Sequence, residues 1–409
     1  MTEVFLVGGA VRDDLLGKVV KEQDWVVVGG SPEELTSQGY RQVGASFPVF
    51  LHPDSGEEYA LARTERKQGH GYHGFAVDFH PGVTLIEDLE RRDLTINAMA
   101  RDEQGQLVDP FNGQRDLEQR VLRHVSDAFT EDPLRVLRVA RFAARFADLG
   151  FTIHPSTLKL MTDMVRSGEL EHLVPERVWS ECEKAFGCSQ PGKFIEVLRE
   201  CGALEQLLPE VDRLFGVPQP EKHHPEIDTG IHVLMTMNLA ADMGNDAKVI
   251  FALLLHDLGK GLTPESRLPS HFGHEKSGLP LVQGVCERFR VPGAYRSLAL
   301  IVCENHLRCH RVLEARPSTL LKLIEDAGLL RQPERTENFL QACEADYRGR
   351  KGMESRSYPQ AGRVRLGLAA AQSIRAADVE TTGLEGPQIG EKIREARIAA
   401  ISDALSPAD

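Results

Sequence analysis

The chain is 409 residues long, 41% hydrophobic and 27% charged, enough core-building material for roughly two to four domains and unlike a disordered or fibrous chain. No run approaches the roughly 18 apolar residues that span a bilayer, and the N-terminus lacks the basic-then-apolar build of a signal peptide, so a cytoplasmic protein without a membrane partner is expected. A net charge of −13 repels nucleic acid on average, so any RNA-directed function requires the basic residues to be gathered in one place.

In chain order, the first segment mixes short β-like runs (EVFLVG, DWVVVG, FPVFLH, EEYALART) with one early helix, which reads as an α/β or α+β unit. The first run ends in Gly8-Gly9 and opens into AVRDDLLG. A strand–Gly–Gly–helix turn presents backbone N–H groups and a helix N-terminus to an anion, and the second glycine lets that anion approach the backbone. Arg12, in the first helical turn, adds a charge-assisted donor. Next come Glu22 and Asp24, two residues apart and thus on one face of an extended chain. Paired hard oxygen donors of this kind suit Mg²⁺ that also engages phosphates. Alone, an E-x-D is an exposed strand start, and a glycine turn is a plain connection; their succession is what points to a site.

From about Asp132 the apolar spacing becomes helical and stays so. Asp132-Pro133 reads as an N-cap followed by the first helical residue. Beyond it, Arg135, Arg138, Arg141 and Arg145 fall within an arc of about 120°, while Val136, Val139, Ala140, Phe142 and Ala143 take the other side. One packed face and one strongly positive face are therefore expected. The Pro- and His-rich GVPQPEKHHPEIDTG marks a boundary, and all later segments read as helices. VIFALLLHDLGKG ends an apolar helix in His256-Asp257, which supply one nitrogen and one oxygen ligand to a transition metal. The seven cysteines include no C-x-x-C pair, which argues against a disulfide framework or a zinc knuckle.

The glycine pair followed by acid-x-Asp resembles the nucleotidyltransferase superfamily that includes DNA polymerase β. RRDLTINAMA (Arg91–Ala100) and EDPLRVLRVARF (Glu131–Phe142) narrow the likeness to CCA-adding tRNA nucleotidyltransferases of the bacterial and eukaryotic class and their relatives the bacterial poly(A) polymerases. Where many relatives carry Asp-x-Asp, the first acid here is Glu22; a longer carboxylate can still reach a metal. H-D-x-G-K resembles the HD phosphohydrolase signature. The resemblance implies an α+β chain: a polymerase β-like head with a mixed sheet and helices, then an all-α neck, an HD-domain body and a tail. The corresponding bounds are 1–130, 131–215, 216–348 and 349–409.

It further implies that Glu22 and Asp24 hold catalytic Mg²⁺, with Glu58 the candidate third carboxylate, and that Gly8 and Gly9 offer phosphate-binding backbone. Arg12, Arg92, Arg138 and Arg141 contact the nucleotide, with Asp93 alternatively bonding the ribose or its own helix, while Asp132 and Arg135 pair with the Watson–Crick edges of CTP or ATP. The loop RTERKQGHGYHGFAVDFHPG (63–82) is expected to be mobile over the site. In the body, His232, His256, Asp257 and Asp346 would bind Ni²⁺, Co²⁺ or Mn²⁺, with His271, His274 and His306 as further candidates; among these His306, taken singly, reads as an ordinary helix-end residue. The implied partners are tRNA, CTP and ATP, with monomer and homodimer both open. Two rival readings are a poly(A) polymerase-like enzyme and an HD phosphohydrolase with a nucleotide-sensing head.

Overall fold

A computed structural model describes residues 2–20, 22–43, 49–67, 75–380 and 382–406. It divides into two compact units, Met1–Ala185 with Lys193–Leu207 and Phe186–Gly192 with Leu208–Asp409. No helix among the described residues is long and apolar enough to cross a membrane.

The first unit is built on strands β1 (Glu3–Val7), β2 (Asp24–Val28), β3 (Arg41–Val43), β4 (Val49–Leu51) and β5 (Glu58–Leu61), followed by a separate hairpin of β6 (Thr64–Lys67) and β7 (Phe75–Asp78), and then β8 (Ala100–Arg101) and β9 (Leu107–Val108). Outside the hairpin they form one sheet of order β3-β4-β5-β2-β1-β8-β9. It is mixed: β2 and β5 run parallel, and the other pairs are antiparallel.

The unbroken apolar run WVVV follows from burial on both faces. Val26 packs with Val7, Leu89 and Ala98 on one side, and Val27 packs with Leu35, Phe50 and Leu61 on the other. Each such burial stabilises by about 1.5–3 kcal/mol. The capped helices Pro32–Ser37 and Leu85–Glu90 carry Leu35 and Leu89 into these layers. The centre of the expected mobile loop, 68–74, lies outside the described residues; β6 and β7 flank it.

The arginine helix spans Leu134–Arg145, and its N-terminal acceptor is Asp132, whose Oδ1 takes the Leu134 N–H at 3.0 Å. The expected basic face is present, with Arg135, Arg138, Arg141 and Arg145 all lining one cavity, but it is largely covered rather than solvated. Leu134–Leu137 and Val139–Ala144 are buried, Arg135 and Arg141 among them. Acids elsewhere in the unit supply the counterions that make this burial tolerable.

The second unit is helical. Ala247–Leu255 is apolar all round, as a central helix must be, and every residue from Val249 to Leu255 is buried. Around it pack Thr229–Asp242, Gly293–His310 and Thr336–Arg348, while His274–Arg288 packs on Gly293–His310 and on the 3₁₀ turn Leu258–Leu262. Gly259 in that turn is required by space: a Cβ there would lie 2.0 Å from the His274 carbonyl oxygen. Residues 216–230 lie inside this unit.

Candidate functional site

In the first unit, a cavity of about 810 Å³ opens where β1, β2 and β5 meet the arginine helix. Gly8 has φ +69°, and a Cβ on it would stand 2.8 Å from Arg92 Nη1, so the turn needs glycine twice over. The Gly8 N–H donates to Met99 O at 3.2 Å. Gly8 therefore shapes the turn rather than offering an N–H to phosphate, a correction to the expectation for it. The helix Gly9–Leu15 begins immediately after.

The acids converge. β2 starts at Asp24, so Glu22 sits in the extended chain before the strand rather than within it, yet both line the cavity. Glu58 is the register partner of Asp24 across the parallel β2–β5 pair and lines the same cavity. Burial raises the Asp24 carboxyl above the ordinary carboxylate range; Arg92 opposes the rise and Glu22 adds to it. A divalent cation beside these acids would relieve the raised Asp24 carboxyl, and an all-oxygen donor set suits Mg²⁺.

The bases converge opposite. Ten basic and five acidic residues line the cavity, which is the local concentration of positive charge that an acidic chain needs for an anionic ligand. Most of these arginines are held by partners. Arg138 Nε donates to Asp93 Oδ2 at 2.7 Å, and Arg141 pairs with Glu181 at 2.5 Å. Arg145 pairs with Asp13 at 2.8 Å, and Arg92 pairs with Asp88 at 3.1 Å.

Burial would raise Asp93, but Arg138 and the Asn97 amide outweigh it and hold the carboxyl well below its ordinary value. Asp93 is thus an arginine anchor here. Arg12 is likewise committed: it bonds Asp13 and Asn97, its guanidinium carbon lies 5.3 and 5.1 Å from the ring centres of Phe142 and Phe146, and burial lowers its pKa. Asp132 Oδ2 accepts from Arg177 at 2.8 Å, and Arg135 donates to the carbonyls of Ala128 and Arg91. The sequence reading missed Asp13, Asp88, Arg177 and Glu181; Asp13, Arg177 and Glu181 act through partners far away in the chain, whereas Asp88 pairs locally with Arg91 and Arg92.

In the second unit, His232, His256 and Asp346 bring ligand atoms within 4.8 Å of one another, and so do His256, Asp257 and His306; all are buried. His256 stands at the C-cap of Ala247–Leu255, His232 comes from Thr229–Asp242, and Asp346 from Thr336–Arg348. His306 joins the cluster, correcting its reading as an ordinary helix-end residue, because Gly293–His310 crosses the central helix there. His274 Nε2 lies 3.2 Å from Asp257 Oδ1. His271 is instead held by Thr263 and the Pro218 carbonyl.

The sequence reading passed over His310, which faces Asp346 Oδ2 at 2.7 Å, and Glu226, whose Oε1 lies 3.0 Å from His232 Nδ1 and 2.9 Å from His224 Nδ1. The only signal for the latter pair was His-x-Glu within the Pro- and His-rich stretch. Buried His256 Nε2, His274 Nε2 and both Asp257 oxygens make no well-formed hydrogen bond among the described residues; they crowd one another instead, with His256 Nε2 3.1 Å from Asp257 Oδ2, His274 Nε2 3.2 Å from Asp257 Oδ1, and Lys260 Nζ ion-paired to Asp257 Oδ2 at 2.6 Å. Nitrogen and oxygen donors gathered within 4.8 Å and without well-formed hydrogen bonds fit a borderline transition metal. The electrostatics agree. Burial disfavours a charged His256, but Asp257 and Asp346 prevail and push it up to about 10, while burial holds His306 well below its ordinary value and so neutral. The cluster thus wants positive charge at its centre and keeps an imidazole in its ligand form beside it.

Comparison with known proteins identifies the family. Residues 4–123 match the poly A polymerase head domain, 150–215 the probable RNA and SrmB-binding site of polymerase A, and 229–408 the HD domain. Over 399 residues the chain is 59% identical to the multifunctional CCA protein of Thioalkalivibrio sulfidiphilus, covering 98% of each. It is 58% identical to that of Pseudomonas fluorescens, covering 97% of each.

Solved structures share the fold. An apo CCA-adding enzyme superposes with TM-score 0.68 at 20% identity, covering 100% of this chain and 89% of that one. A CCA-adding enzyme in complex with ATP gives 0.63 at 21%, covering 98% and 86%. The Thermotoga maritima CCA-adding enzyme complexed with tRNA gives 0.61 at 19%, covering 99% and 91%. With near-complete coverage at such identity, the chain belongs to the family of multifunctional CCA proteins.

Proposed function

We propose that the chain adds and repairs the 3′-terminal CCA of tRNA from CTP and ATP without a nucleic-acid template, and that its HD centre hydrolyses phosphate-bearing ends. The observation that carries the first reading is the meeting of Glu22, Asp24 and Glu58 with the arginine helix around one cavity. The homologues' shared name and the ATP- and tRNA-bound structures of similar fold support it.

When bound, Mg²⁺ on these carboxylates supplies charge stabilisation for attack of the tRNA 3′-OH on the nucleotide α-phosphate, with loss of pyrophosphate. The protein's own contribution is placement. Arg92, Arg138 and Arg141, steadied by Asp88, Asp93 and Glu181, present guanidinium forks to the triphosphate. Asp132 offers an acceptor and Arg135 donors to the base edge, and two backbone carbonyls fix the plane of Arg135.

His232, His256, Asp257 and Asp346 hold a transition metal, Ni²⁺, Co²⁺ or Mn²⁺, whose chemistry when bound is the activation of water. His274 and His306 line that site. The substrates are 2′-, 3′- or 2′,3′-cyclic phosphates. The residue bounds 1–130, 131–215, 216–348 and 349–409 describe head, neck, body and tail in this scheme.

The test is incubation of labelled CTP and ATP with tRNA lacking one, two or three terminal residues. Addition that stops at CCA is expected. An untemplated A-tract, or no incorporation, overturns the reading.

A further inference from the structure

Beside the HD cluster, residues 349–354 form a turn whose position is fixed from several sides. Gly349 lies against the helix that carries His232: a Cβ on it would come 2.7 Å from Thr236 Cα and 2.7 Å from Ala345 O, so only glycine lets the chain pass. Arg348 donates through Nε and Nη2 to Glu354 O at 2.9 and 2.7 Å, and the Gly352 N–H to Glu354 Oε1 at 2.9 Å. The Lys351 N–H donates to Glu226 Oε2 at 3.3 Å, and Glu226 is the acid whose other oxygen faces His232. The turn is therefore tied to the supports of two cluster residues, His232 and Asp346.

Arg350 stands in this turn. Its side chain is 11% exposed, and Nη2 lies 3.9 Å from Asp346 Oδ1, beyond hydrogen-bonding length. Its Nε is buried without a hydrogen-bond partner among the described residues. The guanidinium carbon lies 5.5 Å from the ring centre of Tyr347. Lys260, another cation against the cluster, is held more closely: its Nζ is 2.6 Å from Asp257 Oδ2 and bonds Gln219 Oε1, whereas Arg350 has only the loose 3.9 Å ion pair with Asp346. A mostly buried guanidinium carrying an unpaired donor costs desolvation energy that the apo protein does not recover. A tetrahedral phosphate, with several charged oxygens set to match an arginine fork, recovers it.

We propose that Arg350 grips the phosphate of the substrate hydrolysed at the HD centre, and so selects phosphate esters there. This rests on the hydrolytic reading of that centre given above. Arg350 forms no covalent bond and transfers no proton. It anchors the phosphoryl group next to Asp346, and the ester class, monoester or cyclic diester, is left to the remaining surface.

The test uses the full-length protein loaded with Ni²⁺, as wild type, Arg350→Ala and Arg350→Lys. Kinetics are measured with p-nitrophenyl phosphate and with a 2′,3′-cyclic nucleotide, and inorganic phosphate is titrated as inhibitor. Calorimetry reports Ni²⁺ affinity, and CTP incorporation reports the head. In Arg350→Ala, KM and the inhibition constant of phosphate should rise by about 10- to 100-fold, the loss of one or two charge-assisted bonds. Ni²⁺ affinity and CTP incorporation should stay at wild-type levels, and Arg350→Lys should recover part of the loss. A rise confined to one substrate supports the anchor and names the ester that uses it. Unchanged KM and phosphate inhibition in Arg350→Ala overturn the inference. Weakened Ni²⁺ binding with a fall in kcat alone also overturns it, by assigning Arg350 to the support of Asp346. A wild type that hydrolyses neither substrate instead sinks the hydrolytic reading itself and takes this inference with it.

Discussion

Asp24 and Glu58 are register partners on adjacent parallel strands, so two carboxylates from positions 34 residues apart share one wall of the cavity. This pairing supports the proposal that Glu58 is the third acid of the site. Asp24→Ala should lower nucleotide incorporation by at least about 10³-fold, and Glu58→Gln by about 10²-fold, since each removes an oxygen from the charge-stabilising set. Phosphate-ester hydrolysis by the second unit should continue at its wild-type rate in both. Measuring the two activities side by side on folded variants checks this.

The Asp93–Arg138 pair predicts a pH-dependent loss of stability. Asp93→Asn leaves a guanidinium with its main acceptor weakened. The cost at neutral pH should be about 2–3 kcal/mol, less than for a fully buried pair because about a third of the Arg138 side chain meets solvent. Because the folded carboxyl is held below its ordinary pKa, its contribution is complete above the unfolded carboxylate range and is lost as pH falls toward the folded value. Denaturant unfolding of wild type and variant should therefore differ at pH 7 and converge in acid. A constant gap across that range would contradict the pairing.

Metal binding separates the units. His256→Ala should abolish transition-metal binding and ester hydrolysis while CTP incorporation persists. In wild type, metal at about a hundred times its dissociation constant should stabilise the second unit by about 2.7 kcal/mol, and a chelator should remove that gain. Thermal unfolding with and without chelator, alongside metal titration, reads both effects.

Gly259→Ala tests the geometry that brings Asp257 to His274. A methyl group 2.0 Å from the His274 carbonyl oxygen forces backbone to move, which should cost about 1–3 kcal/mol, the usual range for overpacking, or more. Transition-metal affinity should fall with it, and nucleotide addition should not.

What was legible in the chain depended on how local the signal was. The glycine pair, E-x-D, Asp132-Pro133 and H-D-x-G-K each act within a few residues, and each lies at or beside the element it suggested, with β2 beginning at the second acid rather than the first and the arginine helix at Leu134, one residue later than expected, with Pro133 at its cap. The arginine spacing marked a face but could not show that Asp13, Asp93 and Glu181 come from elsewhere to neutralise it. His306 looked like a helix-end residue because its place in the cluster comes from helix crossing. His224 and Glu226 were hidden in a stretch whose prolines read as a boundary, although its fold buttresses His232.

The guanidinium groups of Arg138, Arg141 and Arg145 already have anionic company before any ligand arrives. Their rotamers are therefore set in advance, and attraction toward stray polyanions is muted. A visiting strand would have to compete with these resident carboxylates, whereas in the proposed reading a triphosphate would share the guanidinium groups with them. Discrimination then arises from fit instead of bulk charge, which is how an acidic molecule can keep a basic chamber without fouling it.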